Sequence, residues 1–564
     1  MTEYNLKKIK SFSFDNQLFI KVFFFVLLMF TSFLFAQQKP KKAKANLKHA
    51  DFITRNPDRF EGNQFLTGNV AIEYKGDMIY ADSAVLYQDK NLAVAWSNAK
   101  LVSKDKTITA KKMEYDGQTT IAKAFENVVL TDPSSRILSD YMEYNRTTEI
   151  ATGIGNVDVK TPTQQIYADK MIYERLTGNI IVNDTYRTIG SDGTMVEGKN
   201  VIYNVKEKST TFGSEVFITN KDYTIYSRKM TTNDITGITT FRDYSKITRR
   251  DDPSQYIITS DGDFNKKTGE AWLRNNSKVY YQNKILSAEK LYFNDKTGFG
   301  RGEKNVVLDD PLEKRILKGD YGEAYRYLDS AYVTKNAYAI KAFDQDSLYI
   351  SADTLLAVKR HDVDSTSIVK AFHKARFYKS NANGKADSLI YNQTKGVMQF
   401  YKDPIMWSGD SQVTGNFMEA YTNAKTEKID SMKVFNNAFV IAKVDSLVEN
   451  EYHQIKGKYL TVLFHDDKID FVNVEENAVA LTYMDDTDEK TKQKERYGVN
   501  ISYCGIIEAD VVGNEVELIA CRVKSDGKMY PLSKFPEELR YLPDFKWRIG
   551  ERLNTWKDIF VESK

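Results

Sequence analysis

The chain has 564 residues, with 80 Lys plus Arg against 77 Asp plus Glu and 41% hydrophobic residues. A net charge of +3 excludes the basic excess of a dedicated nucleic-acid binder, and the hydrophobic content excludes a disordered tail. Two cysteines and five scattered histidines exclude a disulfide scaffold and a Cys-based zinc cluster, and 10 prolines beside 35 tyrosines and 31 phenylalanines suit extended strands.

The N-terminus has the pattern of an address. Lys7, Lys8, Lys10 and Lys21 precede an apolar run from Val22 to Phe35, and Ala36 then meets a polar stretch. Basic region, short apolar core and small residue predict a secretory signal peptide over 1–36. Leu34 is larger than the usual residue three positions before a cut, which leaves an uncleaved anchor as the alternative. A basic linker and a first strand follow over 37–60.

An internal repeat then fills most of the chain. In its first four copies the small residue falls at Ala81, Ala110, Ser139 and Ala168, a constant spacing of 29. The series continues less regularly to Gly457. A second half-repeat carries Asn before a small or branched apolar residue, as in Asn69-Val70, Asn98-Ala99, Asn127-Val128 and Asn156-Val157. Alternating apolar residues and turn signals between the halves predict two strands per repeat. Thirteen candidate units give about 26 strands, which at about 4.8 Å each would stack to roughly 125 Å.

The alternation carries a phase error. Two residues before the small position stand Ile79, Ile108, Ile137, Ile166, Val196 and Ile225; three residues after it stand Met113, Met142, Met171, Val201 and Met230. Positions five apart face opposite sides of a flat strand, yet both are apolar, so each strand is expected to bend or bulge at the small-polar step. The fold class expected is all-β: an elongated, creased antiparallel solenoid of many two-strand repeats, with a small C-terminal hairpin and helix. Repeats over 61–260 and 261–484 form two expected lobes, the longer spacings near 227–260 and 415–457 marking breaks. The inward stripe reads either as a sealed core or as a trough for an extended apolar ligand, with the isoleucines, valines and methionines just named as its lining.

The last expected segment spans 485–564. It opens on a charged linker, DDTDEKTKQKER over 485–496, and continues to a hairpin bearing Cys504 and Cys521. A hairpin centre at Val512-Gly513 would set the two cysteines directly opposite, either as a cross-strand disulfide or as two small buried side chains. Ile549, Leu553, Trp556 and Phe560 fall at helical spacing and predict a short amphipathic cap. No catalytic constellation appears. The Gly298-Phe299-Gly300-Arg301-Gly302 cluster matches a turn between half-repeats better than a phosphate loop. The recurring Asp82, Asp140, Asp169, Asp320, Asp353 and Asp387 read as solvent-facing bend residues. No enzyme activity, cofactor or metal is expected.

The recurring G-N-V … A-D … Y pattern resembles the OstA/LptA-like family. It is seen in Gly68-Asn69-Val70 with Ala81-Asp82 and Tyr87, and in Gly155-Asn156-Val157 with Ala168-Asp169 and Tyr173. The resemblance covers most of 47–480 and is clearest over 60–180. It implies a creased β-jellyroll, or β-taco, that shields the acyl chains of lipopolysaccharide or lipid A in the periplasm on their way to the outer membrane. It also implies edge-to-edge joining with membrane-anchored and outer-membrane jellyroll partners, or with further copies of the chain. The competing reading is a structural β-solenoid scaffold of the cell envelope without a lipid. The chain has more repeats than a short bridging member of that family and lacks a C-terminal translocon barrel.

Overall fold

A computed structural model describes residues 44–560 except 345, 362–365, 424–427, 446–447, 466–467, 488–493 and 513–514. The signal sequence expected over 1–36 lies outside the described residues. Among them there is no α-helix, and no helix is long and apolar enough to cross a membrane. The chain forms two compact units, one reaching residue 160 and taking in 174–176, the other made of 161–173 and 177–564. The lobe boundary expected at 260 falls within residues 177–564 of the second unit.

The first unit is an antiparallel ladder. Its strands are β1 (Asn46–His49), β2 (Phe52–Arg55), β3 (Gln64–Tyr74), β4 (Asp77–Tyr87), β5 (Leu92–Ser103), β6 (Lys106–Asp116), β7 (Ile121–Thr131), β8 (Arg136–Asn145) and β9 (Ile150–Lys160). From β3 onward each strand pairs with the next, and β1 and β2 both pair with β3.

Each of these successive pairs has one register shift, and its chemistry differs from the expectation. In β3–β4, β5–β6 and β7–β8 the small residue stays in register, Val70 opposite Ala81, Ala99 opposite Ala110 and Val128 opposite Ser139, and two residues at the Asn step face one. In the alternate pairs the same small residue and the Asn step both fall inside the shift. Asn69, Asn98, Asn127 and Asn156 have φ between 44° and 56°, the left-handed region that Asn tolerates better than other side chains. The Asp after the small residue holds that Asn: Asn98 Nδ2 donates to Asp82 at 2.8 Å and Asn156 Nδ2 to Asp140 at 2.8 Å. The expected bend residue is thus one half of a bulge clamp.

Contacts between strand ends show how sharply the ladder folds. An extended strand of 11 residues would span about 35 Å. Asp77 begins β4, while Arg146 follows the last residue of β8, at the opposite edge of the ladder. Yet Arg146 Nε donates to the Asp77 carboxylate, and its Nη2 reaches the Lys75 carbonyl at 3.0 Å. Arg175 likewise joins Asp105 at 2.8 Å, Asp132 at 3.2 Å and Glu149 at 2.6 Å. The two limbs of each strand therefore meet edge to edge in this unit. Asp77 and Lys106 are buried at this seam, and burial pushes the Lys106 ammonium pKa down.

The second unit opens with β10 (Gln164–Glu174), β11 (Asn179–Gly190), β12 (Met195–Asn204) and β13 (Ser209–Thr219). The ladder then divides into half-length strands: β14 (Tyr223–Ser227), β15 (Met230–Asn233), β16 (Ile238–Phe241), β17 (Ser245–Arg249), β18 (Tyr256–Thr259), β19 (Gly262–Asn265), β20 (Glu270–Arg274), β21 (Lys278–Tyr281), β22 (Lys284–Ser287) and β23 (Lys290–Asn294). Full-length strands return as β24 (Phe299–Asp310), β25 (Arg315–Tyr325), β26 (Ser330–Ala342) and β27 (Ser347–Lys359). A second division follows in β28 (Ser367–Phe372), β29 (Ala375–Lys379), β30 (Ala382–Ala386), β31 (Ser388–Asn392), β32 (Val397–Tyr401), β33 (Ile405–Ser408), β34 (Ser411–Thr414) and β35 (Phe417–Thr422). The sheet closes with β36 (Ile429–Lys443), β37 (Tyr452–His465), β38 (Lys468–Thr487), β39 (Lys494–Val512), β40 (Glu515–Arg522) and β41 (Asp526–Pro531).

The C-terminal segment departs from the sequence reading in three ways. The expected charged linker contributes to two long paired strands, with Asp485 opposite Arg496 and Thr487 opposite Lys494. Cys504 and Cys521 are bonded, with Cα atoms 5.6 Å apart, but Cys521 stands opposite Ile507 rather than Cys504. The expected amphipathic helix is an irregular strap with short 3-10 turns at Ile549–Glu551 and Trp556–Phe560. The sheet holds its backbone one residue at a time, which an α-helix would not allow. Fully buried Gln412 receives the Arg548 N–H at 2.7 Å and donates to the Lys546 carbonyl at 2.7 Å; fully buried Gln454 does the same for Leu542 and Arg540 at 2.8 Å each.

Beneath the strap lies a small core of Phe439, Ile441, Tyr452, Leu481, Tyr483, Val499, Ile501 and Leu542. His453 borders it and accepts the Tyr483 N–H on Nδ1 at 3.3 Å. Burial pushes its imidazole down to about 4, with Asp485 opposing and Arg496 reinforcing the shift. The unfolded chain, with an ordinary His near 6.5, then binds a proton that the folded chain refuses. Stability from this residue is complete above about pH 6.5 and is lost as pH falls toward 4, by up to about 3 kcal/mol. Urea midpoints measured at pH 7.5, 6 and 4.5 should fall more steeply in the native chain than in His453→Gln.

Candidate functional site

The first division of the second unit builds the site. Between β13 and β24 each creased strand is replaced by two short ones joined through polar residues, such as Arg228-Lys229 and Ser260-Asp261. Two walls result. One runs β13–β14–β17–β18–β21–β22–β24 and the other β13–β15–β16–β19–β20–β23–β24. Their crease is tied by buried hydroxyl pairs, Ser227 with Ser245 and Thr259 with Ser277, each at 2.7 Å.

Between the walls lies a cavity of about 600 Å³. Ile225, Ile247, Ile257, Val279 and Leu286 face it from the first wall; Met230, Phe241, Phe264, Leu291 and Phe293 face it from the second. Its volume is within the range of natural ligand sites, about 300–1,000 Å³. Space is cleared by small side chains, since Gly300, Ala324, Ala331 and Ala357 line its continuation along β24 to β27. Gly300 and Gly302 lie inside β24, so the expected turn cluster is in part a strand whose missing side chains leave room.

Polar groups bridge the mouth above this apolar interior. Tyr223 Oη donates to Asp295 at 3.1 Å, joining the free edges of the two walls. Burial, and then the Asp295 charge, push the Tyr223 phenol up to about 12, so it remains a hydrogen-bond donor at physiological pH. Arg326 pairs with Asp295 at 3.4 Å and lies 5.7 Å from the Tyr281 ring centre. Further on, Arg315 donates to Gln393 Oε1 at 2.6 Å. The site is therefore a hydrocarbon-like interior under a rim of hydrogen-bonding and charged groups. Among the described residues no cluster of His, Cys, Asp or Glu could hold a metal ion.

The residues singled out in the sequence distribute unevenly. Val196, Ile225 and Met230 line the cavity. Ile79, Ile108, Met113, Ile137 and Met142 belong to the first unit, where each is at most 2% exposed and the seam above them is closed. Ile166, Met171 and Val201 lie in the second unit, buried away from the cavity wall. The stripe is thus sealed core in the first unit and cavity lining in part of the second. The sequence reading named lipid-facing residues only as far as Met230, and the lining continues along the same stripe through Leu286, Leu291, Leu317 and Ile350. Part of its signal was present at Ala324, an inward position where earlier repeats carry Tyr115, Tyr144, Tyr173 and Tyr203.

Residues 42–156 match the family described as OstA-like protein. That segment is OstA-like, in agreement with the resemblance carried by the repeated G-N-V and A-D steps. No curated protein matches the chain.

Proposed function

We propose that this OstA-like protein binds the hydrocarbon tails of an amphiphile in the cavity of its second unit, and that it shields lipopolysaccharide acyl chains as a periplasmic carrier or bridge to the outer membrane. The observation that carries the reading is the apolar interior with a polar mouth, set between two separated walls of the antiparallel sheet. Leaving a tail of about 12 methylenes in water costs on the order of 10 kcal/mol, at about 0.8 per methylene. An apolar slot removes that cost, while rim groups such as Arg315 and Arg326 leave the headgroup in a polar setting. The OstA-like match over 42–156 supports the same reading for the first unit. Its closed seam favours a supporting role there, so the scaffold reading survives for that unit alone.

The test is mass spectrometry of lipid extracted from the full chain purified from a Gram-negative host under mild conditions. Stoichiometric lipid, displaced by an added fluorescent lipid A analogue, is the expected result. Protein that emerges lipid-free and ignores the analogue would leave a scaffold only.

A further inference from the structure

Aromatic side chains pair across the interior near both ends of the cavity: Phe212 lines it, and Phe377 and Phe400 stand on strands paired with the lining residues Ile350 and Tyr391. At one end Tyr186, on the limb of β11 that runs into the mouth, faces Phe212 on the opposite limb of β13, with ring centres 6.4 Å apart. Both are buried. Nearer the mouth, Thr163 Oγ1 lies 3.0 Å from Tyr203 Oη. At the other end Phe377 on β29 meets Phe400 on β32, with ring centres 5.1 Å apart. These strands belong to the two separate walls of the second division, β27–β29–β30–β33–β34–β36 and β27–β28–β31–β32–β35–β36. There the interior is filled by large side chains, Phe377, Phe400, Met406 and Met418 among them.

We infer that these pairs are bulkheads, and that the second unit holds a compartment of fixed length that selects its ligand by the amount of hydrocarbon it carries. The inference rests on the lipid-binding reading above. At about 30 Å³ per water-sized group, a volume of 600 Å³ admits on the order of 20 such groups. Nine strand-to-strand steps separate β13 from β27, about 40 Å at the usual spacing, so the space is drawn out in single file. The ligand class that fits carries one long tail or two short ones. A lipid with many tails is accommodated one or two tails at a time, the rest requiring another cover.

Phe377 and Phe400 set the far limit. Gly384 makes room for the first, since a Cβ there would come within 2.7 Å of the Phe377 ring. Removing the Phe400 ring lengthens the compartment by the volume that ring fills. Tyr186 sets the near limit over Gly198, where a Cβ would come within 2.8 Å of its hydroxyl.

The experiment is a chain-length series of saturated lysophosphatidylcholines, from 10 to 24 carbons, titrated against the full chain below their micelle concentrations by displacement of a fluorescent fatty acid. Affinity should rise with each methylene and then stop rising near the capacity of the compartment. In Phe400→Ala the plateau should move to longer tails, with at least tenfold tighter binding of the longest ligand relative to the native chain. Phe400→Leu, which keeps most of the core volume, should move it less and guards against loss of fold. Affinity that climbs without limit in the native chain, or a plateau unmoved in both variants while their melting temperatures stay near native, overturns the bulkheads. Absence of binding at every length overturns the lipid-binding reading itself.

Discussion

Ala324→Phe should cost about 50-fold in affinity for a single-tail amphiphile and leave the fold intact. Ala324 stands opposite Gly300 on one side and Ala331 on the other, and all three line the cavity. An aromatic ring grown from this position enters empty space instead of a packed neighbour, which spares the overpacking penalty of a filled core. A ring that displaces about three methylenes forfeits about 2.4 kcal/mol at about 0.8 per methylene, or somewhat under two decades in the dissociation constant. The contrast is with Met142→Asp and Ile137→Asp in the first unit. Both positions are fully buried under the closed seam, so an introduced carboxylate there meets only apolar neighbours and destabilises the unit by several kcal/mol. Fluorescent-ligand titration paired with thermal melting separates the two. Native affinity in Ala324→Phe, or a native melting temperature in Met142→Asp, would place the ligand elsewhere.

The repeat and its crease were legible because they are written locally. A period of 29 residues in the first copies, an Asn that tolerates positive φ and an inward aliphatic on each side of the step recur in every early copy. The sequence could not show which residue carries the bulge, because Asn-Val and Ala-Asp face each other across a strand pair and either could have been the extra one. It also could not show whether the walls touch. That depends on pairs such as Arg146 with Asp77 and Arg175 with Asp105, which are 69 and 70 residues apart and carry no periodic signal. The open stretch was likewise hidden. It arises where strands lose their middle residues to short polar links and where Ala or Gly replaces a larger inward residue, both of which look like weak copies of the repeat. The C-terminal helix failed for a different reason. Ile549, Leu553, Trp556 and Phe560 have helical spacing, but Leu553 and Ile559 bury into the sheet while Trp556 stacks on Tyr349 with ring centres 5.2 Å apart. Asn383, Gln412 and Gln454 occupy the backbone groups that a helix would have paired internally.

Ending the chain at Pro531 should unfold or oligomerise the second unit's last strands, the largest stability effect expected in this protein. The strands beneath the strap are apolar on both faces, as continuous runs such as Ala438–Ala442 announce. Their inner face joins the main core through Val434, Ala438 and Leu460. Their outer face holds Phe439, Ile441, Tyr452, Leu481, Tyr483, Val499 and Ile501, covered by Leu542 with Phe535, Leu539, Phe545 and Trp547. Uncovering seven such side chains at about 1.5–3 kcal/mol each gives a loss on the order of 10 kcal/mol, comparable to the whole stability of a typical domain. An exposed apolar patch of that kind also drives association. Gln454→Ala is the finer probe. It leaves the Leu542 N–H and the Arg540 carbonyl without their partner in a dry site, at about 2–3 kcal/mol, while the apolar cover remains. Light scattering, dye binding to exposed apolar surface and urea midpoints should rank the forms native, Gln454→Ala and truncated. A truncated chain that stays monomeric, binds no dye and melts with the native protein would mean that the strap merely rests on a sheet already complete without it.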